Sequence, residues 1–157
     1  MAKSLNYSEG DCISIPLREG GYARGVVVRM NGSGIIFGYF FGPLVVNESD
    51  LAVDETLVPG REILRGQFGD LGLLENEWKV IGRLGGFDRK EWSMPKFLRW
   101  EEGEATGVLC TYDENSLEPI LEDVITIDDI DTKSYPVDRL MGYGSVEIRL
   151  TKLLAPK

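Results

Sequence analysis

Carboxylates are the residues of this chain most able to do chemistry, and they are unevenly placed. Between Glu101 and Asp138 twelve Asp and Glu residues stand against a single basic residue, Lys133, whereas the fourteen acidic and sixteen basic residues elsewhere nearly cancel. The formal net charge of −9 therefore originates in one stretch. A field of one sign concentrated in this way attracts a basic partner and speeds the encounter, and it repels the phosphates of nucleic acid. Asp113, Glu114, Glu118, Glu122, Asp123, Asp128, Asp129 and Asp131 are the candidate partner contacts. Rim charges set rate more than affinity, so apolar anchors are needed beside them, and Trp92, Trp100 and Tyr112 are the large aromatics at hand. The competing reading of the same stretch is a solvated acidic face that serves solubility.

Other chemistry open to these carboxylates is poorly specified. Asp128-Asp129-Ile130-Asp131, with Glu122 and Asp123 upstream, has the oxygen ligands of a hard cation, but the loop lacks the glycine and terminal glutamate of an EF-hand. Glycoside hydrolysis needs two acids flanking a sugar, and among so many carboxylates some pair always meets the spacing. Histidine is absent altogether, which removes Ser-His-Asp and Cys-His catalysis and His-ligated zinc. Gly66-x-x-Gly69-x-x-Gly72 has neither the Gly-Lys-Ser/Thr of a phosphate-binding P-loop nor the Gly-x-Gly of a dinucleotide fingerprint. No catalytic residue, metal site or cofactor is expected from these patterns. Cys12 and Cys110 read as small buried hydrophobes in a reducing compartment, with no disulfide framework.

The elements that must position the acidic stretch are mostly strands. Asp11 to Leu17 alternates, Arg18-Glu19-Gly20-Gly21 turns, and Tyr22 to Met30 resumes a β-branched run, which together predict a hairpin. Asn31-Gly32-Ser33-Gly34 turns the chain into a third strand, Ile35 to Phe41, with Gly42-Pro43 as its stop. A short helix is predicted within Asn47 to Leu57, and strands over Arg61 to Phe68, Trp78 to Gly82 and Gly107 to Tyr112. Asp113-Glu114-Asn115-Ser116 reads as a turn, followed by strand or irregular chain from Leu117 to Asp131. Val146, Ile148 and Leu150 alternate within Tyr143 to Leu150, which predicts a closing strand whose edge could pair with a second copy.

Between Leu84 and Trp100, the aromatics Phe87, Trp92, Phe97 and Trp100 either line a ligand- or peptide-binding surface or cap the end of a sheet. Nineteen glycines spread among short strands favour a mainly β, β-rich α+β fold, either a twisted antiparallel sheet or a partly open SH3-like barrel with one or two short helices. With 157 residues, 43% of them hydrophobic, residues 1–157 are expected to form a single domain. Met1 to Tyr7 has no apolar leader, and no stretch approaches the roughly 20 apolar residues of a membrane span. A cytoplasmic protein with no membrane partner is the expectation.

Several pieces in order carry a resemblance. They are Gly10-Asp11-x-Ile13-x-Ile15-Pro16-Leu17, then Gly21-Tyr22-Ala23-x-Gly25-x-Val27, then Phe68-Gly69-Asp70-x-Gly72-Leu73 leading to Trp78-Lys79-Val80-Ile81-Gly82. Pro95, Phe97 and the ending Gly144-Ser145-Val146-Glu147-x-Arg149-Leu150 complete the set. Over Tyr7 to Leu154 the chain resembles the immunity protein 26 family. The resemblance implies a small β-rich antidote of a bacterial polymorphic toxin system, which binds and blocks a cognate protein toxin and carries no catalytic residue. An acidic surface is the form such proteins commonly offer to basic nuclease toxins. The alternative is a non-catalytic module binding a peptide or small ligand through the aromatic loop.

Overall fold

The computed structural model describes residues 5–155; the first four residues, included in the leader reading above, lie outside them. The first two strands, β1 (Asp11–Pro16) and β2 (Tyr22–Met30), form the predicted hairpin. Its turn needs two consecutive left-handed residues, and Gly20 at φ 99° and Gly21 at φ 85° supply them without a Cβ penalty. Strand β3 (Ile35–Val45) pairs antiparallel with β2 and then with β4 (Leu64–Gly69). A four-residue helix α1 (Leu71–Leu74) leads to β5 (Lys79–Arg83), which returns to the free side of β1. A short β6 (Phe97–Arg99), then β7 (Thr106–Tyr112) and β8 (Pro119–Thr126), follow in an antiparallel sheet of their own. The two-residue β9 (Leu140–Met141) runs parallel to β4, and helix α2 (Tyr143–Leu154) ends the described chain.

The result is a β-rich α+β fold of two sheets, ordered β5-β1-β2-β3-β4-β9 and β6-β7-β8. They remain open and do not close into a barrel. Strands β1 to β3 at the centre of the large sheet are buried on both faces, which is why they are near-continuous apolar runs. On one face Ile13, Ile15, Val27, Phe40, Phe68 and Trp78 pack with Val146 and Leu150 of α2. On the other, Cys12, Val26, Val28, Phe37, Tyr39 and Phe41 pack with Trp92 and Phe97. Gly25 makes the first face possible, since a Cβ there would lie 2.9 Å from the Phe40 ring. Both cysteines are free and buried, as their reading as small hydrophobes expects.

Three sequence expectations are corrected. The closing strand is a helix: Val146 and Leu150 are fully buried but Ile148 is 43% exposed, so the working period is four residues and not two. The apolar series Tyr143, Val146, Leu150 and Leu154 fits a helix laid on the sheet, and no strand edge exists near Ile148 for pairing with a second copy. Gly42-Pro43 does not stop β3, which continues to Val45; the ladder with β2 shifts register beside it, and a residue without an amide hydrogen is tolerated there. The helix expected after Asn47 amounts to one 3-10 turn, Glu48–Asp50, without a side-chain cap.

Candidate partner-binding surface

The acidic stretch is built on the β7–β8 hairpin and the chain that follows it. Thr106 to Tyr112 pairs with Thr126 to Pro119, and the connection is a compact loop closed by Asp113 N–H donating to Glu118 O at 2.8 Å. Asp113 organises that loop. Its carboxylate accepts from the amides of Asn115 at 3.0 Å and Ser116 at 2.7 Å, which holds its pKa below the ordinary carboxylate value. Leu117 turns inward at φ 57° and is 3% exposed, a left-handed position a leucine accepts here because its side chain is buried.

Glu114 ties the loop to the large sheet. Arg29 of β2, whose side chain is only 2% exposed, donates Nη2 to Glu114 Oε1 at 2.6 Å and Nε to the same oxygen at 3.0 Å. The rest of its guanidinium donates to Val28 O at 2.7 Å and Arg89 O at 3.1 Å. A second anchor lies under β7. Arg99 reaches Glu122 at 3.2 Å and the buried Asp138 at 3.1 Å, and the Tyr112 hydroxyl donates to Asp138. The Glu122 hydrogen bond raises the Arg99 pKa, while burial, reinforced by the Asp138 hydrogen bond, raises that of Tyr112.

These contacts sort the ten candidate residues. Asp113 and Glu114 are engaged in shaping and anchoring the hairpin. Glu122 and Asp123 extend from β8 toward Arg99 and, at 3.8 Å, Lys96. Asp131 caps the following 3-10 turn by accepting from Lys133 N at 3.1 Å. Glu118, Asp128 and Asp129 are exposed, and no cation pairs with them among the described residues. Trp100 is half-buried beside Gly107, with its indole donating to Glu104 O at 3.0 Å. Trp92 stands apart from all of these, 4% exposed, its ring against Tyr39 and Phe41 in the second core. Phe97 is buried with it and Phe87 packs alongside, so the aromatic loop faces inward.

What the sequence reading missed is the apolar content of β8. Ile120 is 64% exposed, Leu121 54% and Val124 76%, on a strand that ends its sheet and leaves one ladder edge unpaired. The signal was present in the alternation of Ile120, Glu122 and Val124, which reads as an exposed strand face once Leu117 to Asp131 is assigned as a strand. Among the described residues no three His, Cys, Asp or Glu side chains converge as a metal site, and no helix is long and apolar enough to cross a membrane.

Comparison with known proteins adds one finding. The family model described as Immunity protein 26 matches residues 8–106. The match takes in β1 to β6 and stops at the first residue of β7, so the hairpin and the ending Gly144 to Leu150 lie beyond it. No curated protein and no solved structure matches the chain.

Proposed function

Because the chain belongs to the immunity protein 26 family, we propose that it binds and neutralises a cognate protein toxin in the cytoplasm, and that the toxin presents a basic surface, as a nuclease does, to the β7–β8 hairpin. The observation that carries the choice of surface is β8 itself. On one face it joins the exposed Ile120 and Val124 to Glu122, with the exposed Leu121 and Asp123 on the other face of the same unpaired edge and Glu118 just before the strand. Apolar anchors within a charged rim are the composition of a protein interface, where the anchors supply affinity and the charges steer approach and exclude wrong partners. Asp128 and Asp129 extend the negative field along the same chain, and Trp100 stands at the far end of the strand pair. The reading assigns no catalytic residue, and it treats residues 1–157 as one domain with the hairpin as its partner-facing part.

The family and the hairpin have separate supports. The matched residues include five of the six strands of the large sheet, and the acidic hairpin is joined to them by the β6–β7 ladder and by the Arg29–Glu114 pair. Shape and charge on such a hairpin specify a partner without altering the core.

Co-purification of the tagged protein from its host, followed by a salt titration, tests the proposal. The expected result is one stoichiometric basic protein, toxic when produced alone and released as salt rises. Replacing Val124→Lys should weaken the complex about tenfold or more, because it removes an anchor, and Asp128→Lys with Asp129→Lys should slow association at low salt. Association at low salt that is unchanged in both variants would move the interface away from the hairpin.

A further inference from the structure

A second charged feature has the opposite sign. At the outer end of the large sheet, the start of β4, the chain leading into β9 and one face of α2 enclose a half-open cleft of about 240 Å³. Arg65, Lys133, Arg139 and Arg149 line it, and Glu62 is the one carboxylate among the lining residues. Glu62 is turned to the backbone, with Oε1 accepting from Gly60 N at 2.6 Å. Among the described residues none of the four cations has a carboxylate within ion-pairing distance. Among the described residues of this chain of net charge −9, eight other cations are paired with acids.

Arg65 is also held in place. It lies opposite Tyr39 in the β3–β4 ladder, its guanidinium carbon sits 5.8 Å from that ring's centroid, and Nη2 donates to Ser134 O at 2.9 Å. A half-buried guanidinium fixed by a ring and a carbonyl retains N–H groups on its fork for a ligand. Four like charges around one small cleft repel one another, and an anion that several of them contact at once relieves that repulsion while making charge-assisted hydrogen bonds. A lone carboxylate would offset one charge of the four. A phosphomonoester brings a charge of about −1.5 to −2 and three acceptor oxygens, the better match to cations converging from three segments. The remaining wall is apolar or aromatic, formed by Tyr135, Val137 and Met141, and offers contact to an organic group attached to the phosphate.

We propose that this cleft binds a small phosphorylated molecule, with the phosphate held by Arg65, Lys133, Arg139 and Arg149 and the organic portion against Tyr135 and Val137. The site lies apart from the β7–β8 hairpin in its lining residues and opposite to it in charge, so it stands whether or not the hairpin docks a toxin.

Isothermal titration of the full chain with inorganic phosphate and with adenosine 5′-monophosphate, at matched ionic strength, tests this. Saturable binding of both is expected, tighter for the nucleotide, and weakened about tenfold by Arg139→Gln and again by Arg149→Gln. Arg139 is exposed, so its variant should unfold at the wild-type temperature and separates lost binding from lost folding. Lys90→Gln, which removes an exposed cation outside both the cleft and the hairpin, should leave phosphate affinity unchanged. The proposal is overturned by the absence of saturable binding to either probe, by affinities indifferent to Arg139→Gln and Arg149→Gln, or by a glutamate-rich peptide that binds more tightly than the nucleotide and loses affinity in the same variants.

Discussion

The two sheets differ in how far their strands are covered. In the six-stranded sheet both faces of β1, β2 and β3 are packed, and Ile13, Val27, Phe37 and Phe40 are inaccessible to solvent. In the three-stranded sheet, Leu98, Leu109 and Cys110 are buried, yet β8 exposes most of its length, including three large aliphatic side chains. Continuous apolar strands buried on two faces supply stability and leave no surface to offer a partner. An edge strand with exposed aliphatics among carboxylates contributes little to the core, and its charges discourage indiscriminate edge pairing while leaving a directed one available. One sheet holds the fold and the other is presented by it.

The largest effect should come from breaking the covered sheet. Trp78 is 1% exposed, packs against Phe40 and Phe68, and donates its indole N–H to the buried Glu147 at 2.9 Å. Trp78→Ala should lower unfolding free energy by about 3–5 kcal/mol, from the cavity and from the loss of the donor to Glu147 Oε2, while Arg18 still holds Oε1. Chemical denaturation measures this, and a loss below about 1 kcal/mol would contradict the assignment of stability to that sheet. The joint between the sheets should cost less. Glu114→Ala leaves the guanidinium of Arg29 with backbone carbonyls and no counterion, a loss of about 1–3 kcal/mol. Hydrogen exchange should show that loss concentrated in β7 and β8; uniform acceleration across both sheets would mean that the hairpin is not a separable unit.

How much of this was legible depended on whether the pattern had one answer. The β1–β2 hairpin was readable because Gly20-Gly21 and the flanking alternation point to the same turn. The Asp113 turn was readable for the same reason, since short polar residues there satisfy their own backbone. Tyr143 to Leu150 admitted two periods, and the exposed sheet face awaiting a helix, a fact of tertiary packing, decided between them. Trp92 stood in a charged, glycine-rich segment that reads as a surface loop, yet Tyr39 and Phe41 of β3, about 50 residues earlier, bury its ring. The cationic cleft had no local signal at all. Arg65, Lys133, Arg139 and Arg149 are scattered across three segments, and Lys133 registers in the sequence only as the lone base in an acidic run.

The two cysteines report on the sheets separately, one in each. Burial pushes the Cys12 thiol up to about 12, with Arg24 opposing part of the rise, and burial also raises that of Cys110. Thiolate is the reactive form, so both should resist alkylation in the native protein and react only on opening. Cys110 should be labelled first, because the sheet that holds it has less covering it. Equal rates would show that the two sheets open together and would remove the distinction between them.

The smallest effect concerns acid. Asp113 is held below the ordinary carboxylate pKa by the amides of Ser116 and Asn115, and by the Ser116 hydroxyl. A group depressed in the folded state contributes stability above its unfolded value, about 3.9, and that contribution disappears as pH falls through the lowered folded value. Protonation removes the acceptor that organises the loop, so the hairpin tip should fray at the acid end of that window while the covered sheet stays intact. Amide signals of Asn115 and Ser116 followed by NMR between pH 6 and 2 would show this as a transition confined to the tip. Asp113→Asn keeps one carbonyl acceptor and carries no charge, so in that variant the two amide signals should become insensitive to pH across the same range. Persistence of the transition in Asp113→Asn would place its origin in another carboxylate of the hairpin, and its spread to β1 or β2 would join in acid the two sheets that solvent exposure divides.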